Sequence, residues 1–247
     1  MASMEVMSAK TKRDKVIGWT IAMILAIFWL LVTFVPFLFM VLTGFKEKLE
    51  VILGGAFSLP KGFYTANYVE VITDVAFWNY FKNSVIIIIF ALFFLLMFCS
   101  FAAYPLSRFK FKLRNFIFLV IVASMSIPIH VTMIPVFQMA IKTHLYDTIW
   151  VLVPTAVAFA LPMSVFIMTG FMEGIPVELE EAADIDGCGR YGRFFKVIFP
   201  LSTPGLSTLA IYNGVNIWNE FIFAFTLTQS EANRTLPLAL WNYQGQY

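Results

Sequence analysis

The sequence predicts an all-α membrane protein, a bundle of kinked transmembrane helices, and three observations carry that prediction. Of the 247 residues, 60% are hydrophobic and only 13% are charged, about half the charged fraction of a soluble chain. Mean hydropathy is +0.81, more apolar surface than one water-soluble core can hide. Finally, five apolar stretches are each long enough to cross a bilayer, and they run continuously, as in VIIIIFALFFLLMF at 85–98. Continuous runs lack the two-residue alternation of a membrane barrel. A lipid-exposed backbone must then satisfy its own hydrogen bonds within helices. At roughly 20 to 25 residues per crossing, the chain has room for five or six spans and none for a large extramembrane catalytic domain.

The spans are expected at about 16–44, 84–107, 115–140, 148–172 and 204–228. Basic Lys10, Lys12, Arg13 and Lys15 precede the first, which imitates a signal peptide. Its apolar stretch is far longer than a signal core and lacks a small-residue cleavage site, so it reads as a helix. Prolines stand in several spans: Pro36, Pro105, Pro128, Pro135, Pro154 and Pro162. Each removes a backbone donor, so kinked, non-parallel helices are expected; ordinary proline usage in membrane helices accounts for any single one equally well. Asp147-Thr148 reads as an N-cap for the fourth span.

Short-loop Lys and Arg set the orientation. The N-terminal segment and the 108–114 loop, with Arg108, Lys110, Lys112 and Arg114 and no acid of its own, are expected in the cytoplasm. The 141–147 loop, with Lys142 alone, is expected outside, which returns 173–203 to the cytoplasm. Segment 45–83 falls outside, its four bases balanced by four acids. There Tyr68, Ile72, Val75 and Trp78 lie near helical spacing, predicting an amphipathic helix along the outer surface. The net charge of +2 is too small to suggest nucleic acid. The two cysteines, Cys99 in an apolar run and Cys188 in a charged loop, support neither a disulfide framework nor a cysteine-rich metal site.

The loop GIPVELEEAADIDGCGRYGRFFKVIFPLSTPG (174–205) differs from the rest. Pro176 suits a first helical position, and Glu178, Glu180 and Glu181 follow in the first turns, where negative charge is favoured. Ala182, Ala183 and Gly187 carry little bulk, allowing close approach of another protein, and Gly187 can end the helix. A second short helix is expected, with Arg190, Arg193 and Lys196 opposite Phe194, Phe195, Val197 and Ile198, lying flat under the membrane. A solvated acidic loop with an interfacial helix is the plain alternative.

The order Glu181-Ala182-Ala183, three residues, Gly187, nine residues, then Val197, Phe199 and Pro200 resembles the signature loop of the membrane subunits of binding-protein-dependent ABC importers. Val197 and Phe199 stand where that family usually has Ile and Leu. NYVEVI before Asn83-Ser84, the Ile-Pro patterns at Pro128 and Pro135, LPMSVFIM before the loop, and WNEF at Trp218 to Phe221 resemble its carbohydrate branch, and most of all the smaller maltose-type permease subunit. The resemblance implies a type I importer fold of six spans, of which five are visible here; the sixth is expected after NYQGQY, about 30 residues further on. It implies a bacterial or archaeal cell-membrane protein that moves sugar from an external binding protein by alternating access, paired with a second permease subunit and two cytoplasmic ATPase subunits that bind ATP and Mg. The loop becomes a coupling helix docked on the ATPase, with Pro176, Glu178, Glu181, Ala182, Ala183, Asp184, Gly187, Arg190 and Pro200 at the contact.

No bond chemistry is expected of this chain. A phosphate-binding loop needs G-x-x-x-x-G-K-[ST] after a strand, and Gly187 to Gly192 continues instead into Arg193-Phe194. In the fifth span Asn213, Asn216 and Glu220 recur at i, i+3 and i+7, one helical face. A charge at mid-membrane costs about 2.5 to 3.5 kcal/mol on insertion scales, so Glu220 is expected to face the bundle or the pathway. That face either lines the sugar route or bonds to the sister permease or the outer interface. Competing readings are a permease for another solute, such as a glycerophosphodiester or polyol, and a proton-coupled carrier with His130 and Glu220 as its relay.

Overall fold

A computed structural model describes residues 2–54 and 58–244. The side chains of residues 1–12 and 242–247 are not described, those of Lys10, Lys12 and the NYQGQY ending among them, and the last three residues of that ending lie outside the described ones altogether. No strand occurs among the described residues. The chain divides into two units, Met1–Asp74 and Val75–Tyr247.

The first unit contains α1 (Ala2–Thr43), α2 (Lys48–Leu53) and α3 (Ala66–Thr73). From Val16 to Leu38 the apolar side chains of α1 are exposed on every side, as befits a helix whose solvent is lipid. Pro36 lies within α1, which continues through it. After α1, Lys46 is buried with its Nζ donating to Ser58 Oγ at 3.1 Å. Asn67 Nδ2 holds the carbonyls of Gly44 and Lys46 at 3.0 and 2.9 Å. The expected amphipathic helix is shorter than its pattern: α3 stops at Thr73, with Asp74 extended at ψ 116°. Val75 and Trp78 therefore belong to the next helix and do not share a face with Tyr68 and Ile72.

The second unit is built on α4 (Val75–Arg108) and α7 (Leu152–Glu173), which pack along each other more extensively than any other pair. Between them run α5 (Arg114–Ser124), a 3-10 turn (Ile129–Thr132) and α6 (Met133–Lys142); a second 3-10 turn (Ile149–Val151) leads into α7. Then come α8 (Glu178–Ile185), α9 (Arg190–Arg193), a π-helical stretch (Phe194–Ile198), α10 (Phe199–Leu201), α11 (Thr203–Trp218), α12 (Ile222–Leu227) and α13 (Leu236–Gln244).

Two buried layers lie along the α4–α7 pair. One joins Ala91 and Leu95 to Val153, Val157, Phe223 and Leu227; the other joins Cys99 and Ala103 to Val165, Met168, Ile198 and Leu209. In these layers early α4 residues meet early α7 residues and late meet late, and small side chains at the seam let the helix backbones approach. Ser100 and Ser164 are buried there with no orphan hydroxyl, because each donates to its own helix, to Leu96 O at 2.6 Å and Ala160 O at 2.8 Å.

Among the described residues, three helices are long and apolar enough to cross a membrane: Arg13–Thr43, Val75–Arg108 and Ile149–Glu173. Two sharply bent pairs raise the number to five if each is one span. The third expected span, 115–140, is such a pair, bent by 92° between Ser124 and Ile129. Pro128 is the break: extended at ψ 127°, it caps the 3-10 turn. The other prolines bend less than their number suggests. Pro135 and Pro154 stand in first turns, where no backbone donor is needed, while α4 and α7 continue through Pro105 and Pro162. The second bent pair is Arg190–Leu201 with Thr203–Trp218, at 65°, so the fifth expected span, 204–228, matches only its second half: α11 ends at Trp218, and α12 starts separately at Ile222.

Candidate functional site

In the 174–205 segment, α8 begins at Glu178, two residues later than the proline pattern suggests. Pro176 lies ahead of the N-cap, Val177, whose carbonyl accepts from Glu180 and Glu181 N–H at 2.9 and 3.1 Å. The C-terminal end is a Schellman closure. Gly187 has φ +81°; its N–H reaches Asp184 O at 3.0 Å and the Cys188 N–H reaches Ala183 O at 2.9 Å. Glycine is needed here for its backbone, because a Cβ on Gly187 meets nothing within 4 Å.

One side of α8 is open and the other is anchored. Glu178, Glu181, Ala182, Asp184 and Gly187 are exposed, whereas Glu180 and Ala183 are buried. Ala183 thus packs within this chain, and among the two alanines only Ala182 is available to a partner. Arg193 Nη1 pairs with Asp184 Oδ2 at 2.6 Å, tying α8 to α9. The Arg190 guanidinium lies over the Phe109 ring, 5.9 Å from its centre, and Pro200 is exposed. A second helical segment runs between 190 and 201, with a π-helical stretch at Phe194–Ile198; Phe194 and Ile198 are buried and Lys196 exposed, but Phe195, expected on the apolar side, is exposed too. Ser202, fully buried, then donates to Ile198 O at 2.7 Å where the chain turns by 65° into α11.

The residue that the spacing argument passes over is Glu180. Its Oε1 lies 2.5 Å from Arg108 Nε, with both side chains only 7% exposed. Its Oε2 accepts from the Tyr104 hydroxyl at 3.0 Å. Arg108 Nη2 further donates to Ile175 O at 2.7 Å. Nearby, Arg114 bridges Leu106 O and Glu173 Oε1, both at 2.5 Å. The 108–114 loop, counted as basic without acids, therefore has two of its four cations neutralised by carboxylates from 173–180. The available signal was the i, i+3 spacing of Glu180 and Ala183, which marks the inner face of α8.

The three polar residues expected on one face of the fifth span are separated. Asn213 is buried, donating to Ser164 Oγ at 3.2 Å and Leu209 O at 2.9 Å, and so joins α11 to α7. Asn216 is exposed and donates back to Tyr212 O at 2.9 Å. Glu220 stands beyond the end of α11, off that face. Its carboxylate accepts from Phe223 N–H at 2.8 Å and Ala224 N–H at 3.1 Å, closing the start of α12. The cavity beside it, about 30 Å³, has room for about one water and none for a sugar ring. His130, its suggested relay partner, is exposed in the 3-10 turn.

A third polar cluster fastens the connecting segments. Asp147, at φ 56°, does not cap α7. Its Oδ1 accepts from Gln229 and Ser230 N–H, each at 2.8 Å, and its Oδ2 from the Ser230 hydroxyl. Those bonds, the Ser230 hydroxyl foremost, hold the Asp147 carboxyl below its ordinary value of 3.8. Buried Asn83 donates to Ala232 O and Arg234 O at 2.8 and 2.9 Å, and Ser84 Oγ accepts from Leu236 N–H at 2.9 Å. The Asn83-Ser84 pair is thus a clamp on the segment before α13. No cluster of three or more metal-ligating side chains occurs among the described residues.

With this geometry in hand, comparison with known proteins gives a consistent likeness. A family model described as the binding-protein-dependent transport system inner membrane component matches residues 96–247. A putative ABC transporter permease protein of Caldicellulosiruptor sp. (strain Rt8B.4) is 46% identical over 219 residues, 89% of this chain and 79% of that one. The arabinooligosaccharides transport system permease protein of Halalkalibacterium halodurans is 34% identical, over 94% of this chain and 83% of its own. Among solved structures, a bacterial ABC transporter involved in the import of the acidic polysaccharide alginate superposes with a TM-score of 0.79 at 25% identity, covering 94% of this chain and 80% of that one.

Proposed function

Because the chain belongs to the family of binding-protein-dependent transport system inner membrane components, we propose that it is the translocation subunit of an oligosaccharide importer whose ATP hydrolysis takes place in partner subunits. The observation that carries the reading is α8: a short helix with an exposed acidic and small-residue side, closed at Gly187 and anchored on its other side to α4. That is the form required of a helix that a cytoplasmic ATPase grips and moves. The likeness to an arabinooligosaccharide permease and to an alginate importer supports a saccharide as cargo. Pro176, Glu178, Glu181, Ala182, Asp184, Gly187 and Arg190 border the proposed ATPase contact, with Pro200 behind it. Of the three polar residues Asn213, Asn216 and Glu220, exposed Asn216, rather than buried Asn213 or capping Glu220, is the one open to the sister permease or the sugar.

On this reading residues 1–247 serve one translocation domain, with the N-terminus, the 108–114 loop and 173–203 in the cytoplasm. ATP and Mg belong to two ATPase subunits, and an external binding protein delivers the sugar. The test is uptake of arabinotriose, an alginate trisaccharide and maltotriose by proteoliposomes holding this chain with its genomic-neighbour permease, ATPase and binding protein. Gly187→Asp and Glu181→Lys are expected to abolish uptake while the complex still assembles. Unchanged uptake in both would sink the coupling role.

A further inference from the structure

We infer that Glu180 is a positioning residue of the transport cycle: through its buried contacts with Arg108 and Tyr104 it locks α8 to the end of α4, so that any displacement of α8 moves α4 as one body. This rests on the coupling role proposed above and goes beyond it, because it assigns the path by which the displacement enters the membrane helices.

Three observations converge. Glu180 is held from two directions, by Arg108 Nε at 2.5 Å and by the Tyr104 hydroxyl at 3.0 Å. Arg108 also grips the chain just before α8, through Ile175 O at 2.7 Å. Tyr104 and Arg108 are four residues apart on α4, one turn, and so present one side of that helix to the anchor. An apolar contact tolerates sliding, whereas a buried ion pair flanked by two directional hydrogen bonds, Tyr104 to Glu180 and Arg108 to Ile175 O, resists push, pull and twist. Arg114 adds a parallel tie, since its bonds to Leu106 O and Glu173 Oε1 link the start of α5 to the ends of α4 and α7.

The anchor opens onto the body of the membrane unit. Above Tyr104, α4 continues as the central helix of both buried layers, packed on α7 and α11. Without the lock, α8 would still be joined to α7 by the Gly174–Val177 connection and to α9 by the Arg193–Asp184 pair. A gripped α8 could then tilt on those joints while α4 stayed behind, and hydrolysis would run without transport.

The experiment measures sugar carried per ATP hydrolysed in the same proteoliposomes, and, in an arm that needs no sugar, the stimulation of ATP hydrolysis by the binding protein. Glu180→Gln, which removes the charge and keeps the shape, is expected to lower both readouts at least tenfold, with basal hydrolysis within twofold of the unmodified complex. Tyr104→Phe, which removes one hydroxyl, is expected to lower them about twofold. The double variant Arg108→Met/Glu180→Met separates positioning from mere stability, because an apolar replacement of a buried ion pair is often neutral to folding. A double variant that assembles and remains uncoupled supports the lock. Normal coupling in that variant, or in Glu180→Gln, overturns it, as does a loss of transport that only tracks loss of assembled complex. A Gly187→Asp complex that still transports would instead overturn the coupling role of α8 itself.

Discussion

Glu220 illustrates how much a single carboxylate's meaning depends on what its oxygens touch. By spacing it sits seven residues after Asn213, on a presumed polar face; in the fold both oxygens accept backbone N–H groups at the start of α12. Removing a side-chain cap costs about 1 kcal/mol, so Glu220→Ala is expected to lower the thermal midpoint of the detergent-purified complex by a few degrees, with Glu220→Gln intermediate. A fall in uptake without that loss of stability would return Glu220 to the sugar path. Asp147 makes a pH prediction. Its carboxyl is held below 3.8 in the fold, so its contribution is present above that ordinary value and fades as pH falls through the lower folded value. Amide exchange at Gln229 and Ser230, corrected for intrinsic rates, is therefore expected to accelerate at about pH 3 relative to pH 6. In Asp147→Asn that acceleration should vanish. Neither role was legible from sequence, because a capping carboxylate and a pathway carboxylate are the same residue in the same apolar neighbourhood.

Spans were legible in approximate place, and less so in continuity. Hydropathy averages over a window, so it finds 115–140 and 204–228 as apolar stretches without registering that Pro128 and the Asn219–Phe221 break divide them. Proline counting overstates the bends for the opposite reason. A first-turn proline such as Pro154 costs no hydrogen bond, while the 65° turn at Ser202 lies between Pro200 and Pro204, after a π-helical stretch and beside a buried hydroxyl bonded to Ile198 O. Packing between elements yields a sharper prediction at Gly205. A Cβ there would lie 2.9 Å from the Phe171 ring, so α11 approaches α7 as closely as glycine permits. Gly205→Val is expected to cost about 1 to 3 kcal/mol by overpacking, read as an earlier loss of the monodisperse peak on heating in detergent. Combining it with Phe171→Ala should recover part of that loss; no recovery would mean that the ring is not the obstacle.

For the whole molecule, the orientation drawn from loop charges has a direct check. With Cys99 and Cys188 replaced by alanine, a cysteine at Lys142 is expected to react with a membrane-impermeant maleimide in intact cells, and one at Lys112 only after the membrane is opened. The reverse pattern would invert the topology and remove α8 from the ATPase. What the sequence by itself determined was the solvent of the chain, the approximate spans, and a loop whose residue order is specific enough to identify a family. These are local properties: composition decides whether water or lipid is the better solvent, and a glycine at φ +81° leaves a mark wherever it is required. The tertiary structure alone decided which charges are buried and what they hold. Tyr104 and Glu180 are 76 positions apart, and no helical period relates them. Their meeting follows from the packing of α4 on α7, which brings the end of one helix to the loop after the other. Burial then makes the pairing obligatory, because an ion out of water without a partner costs several kcal/mol.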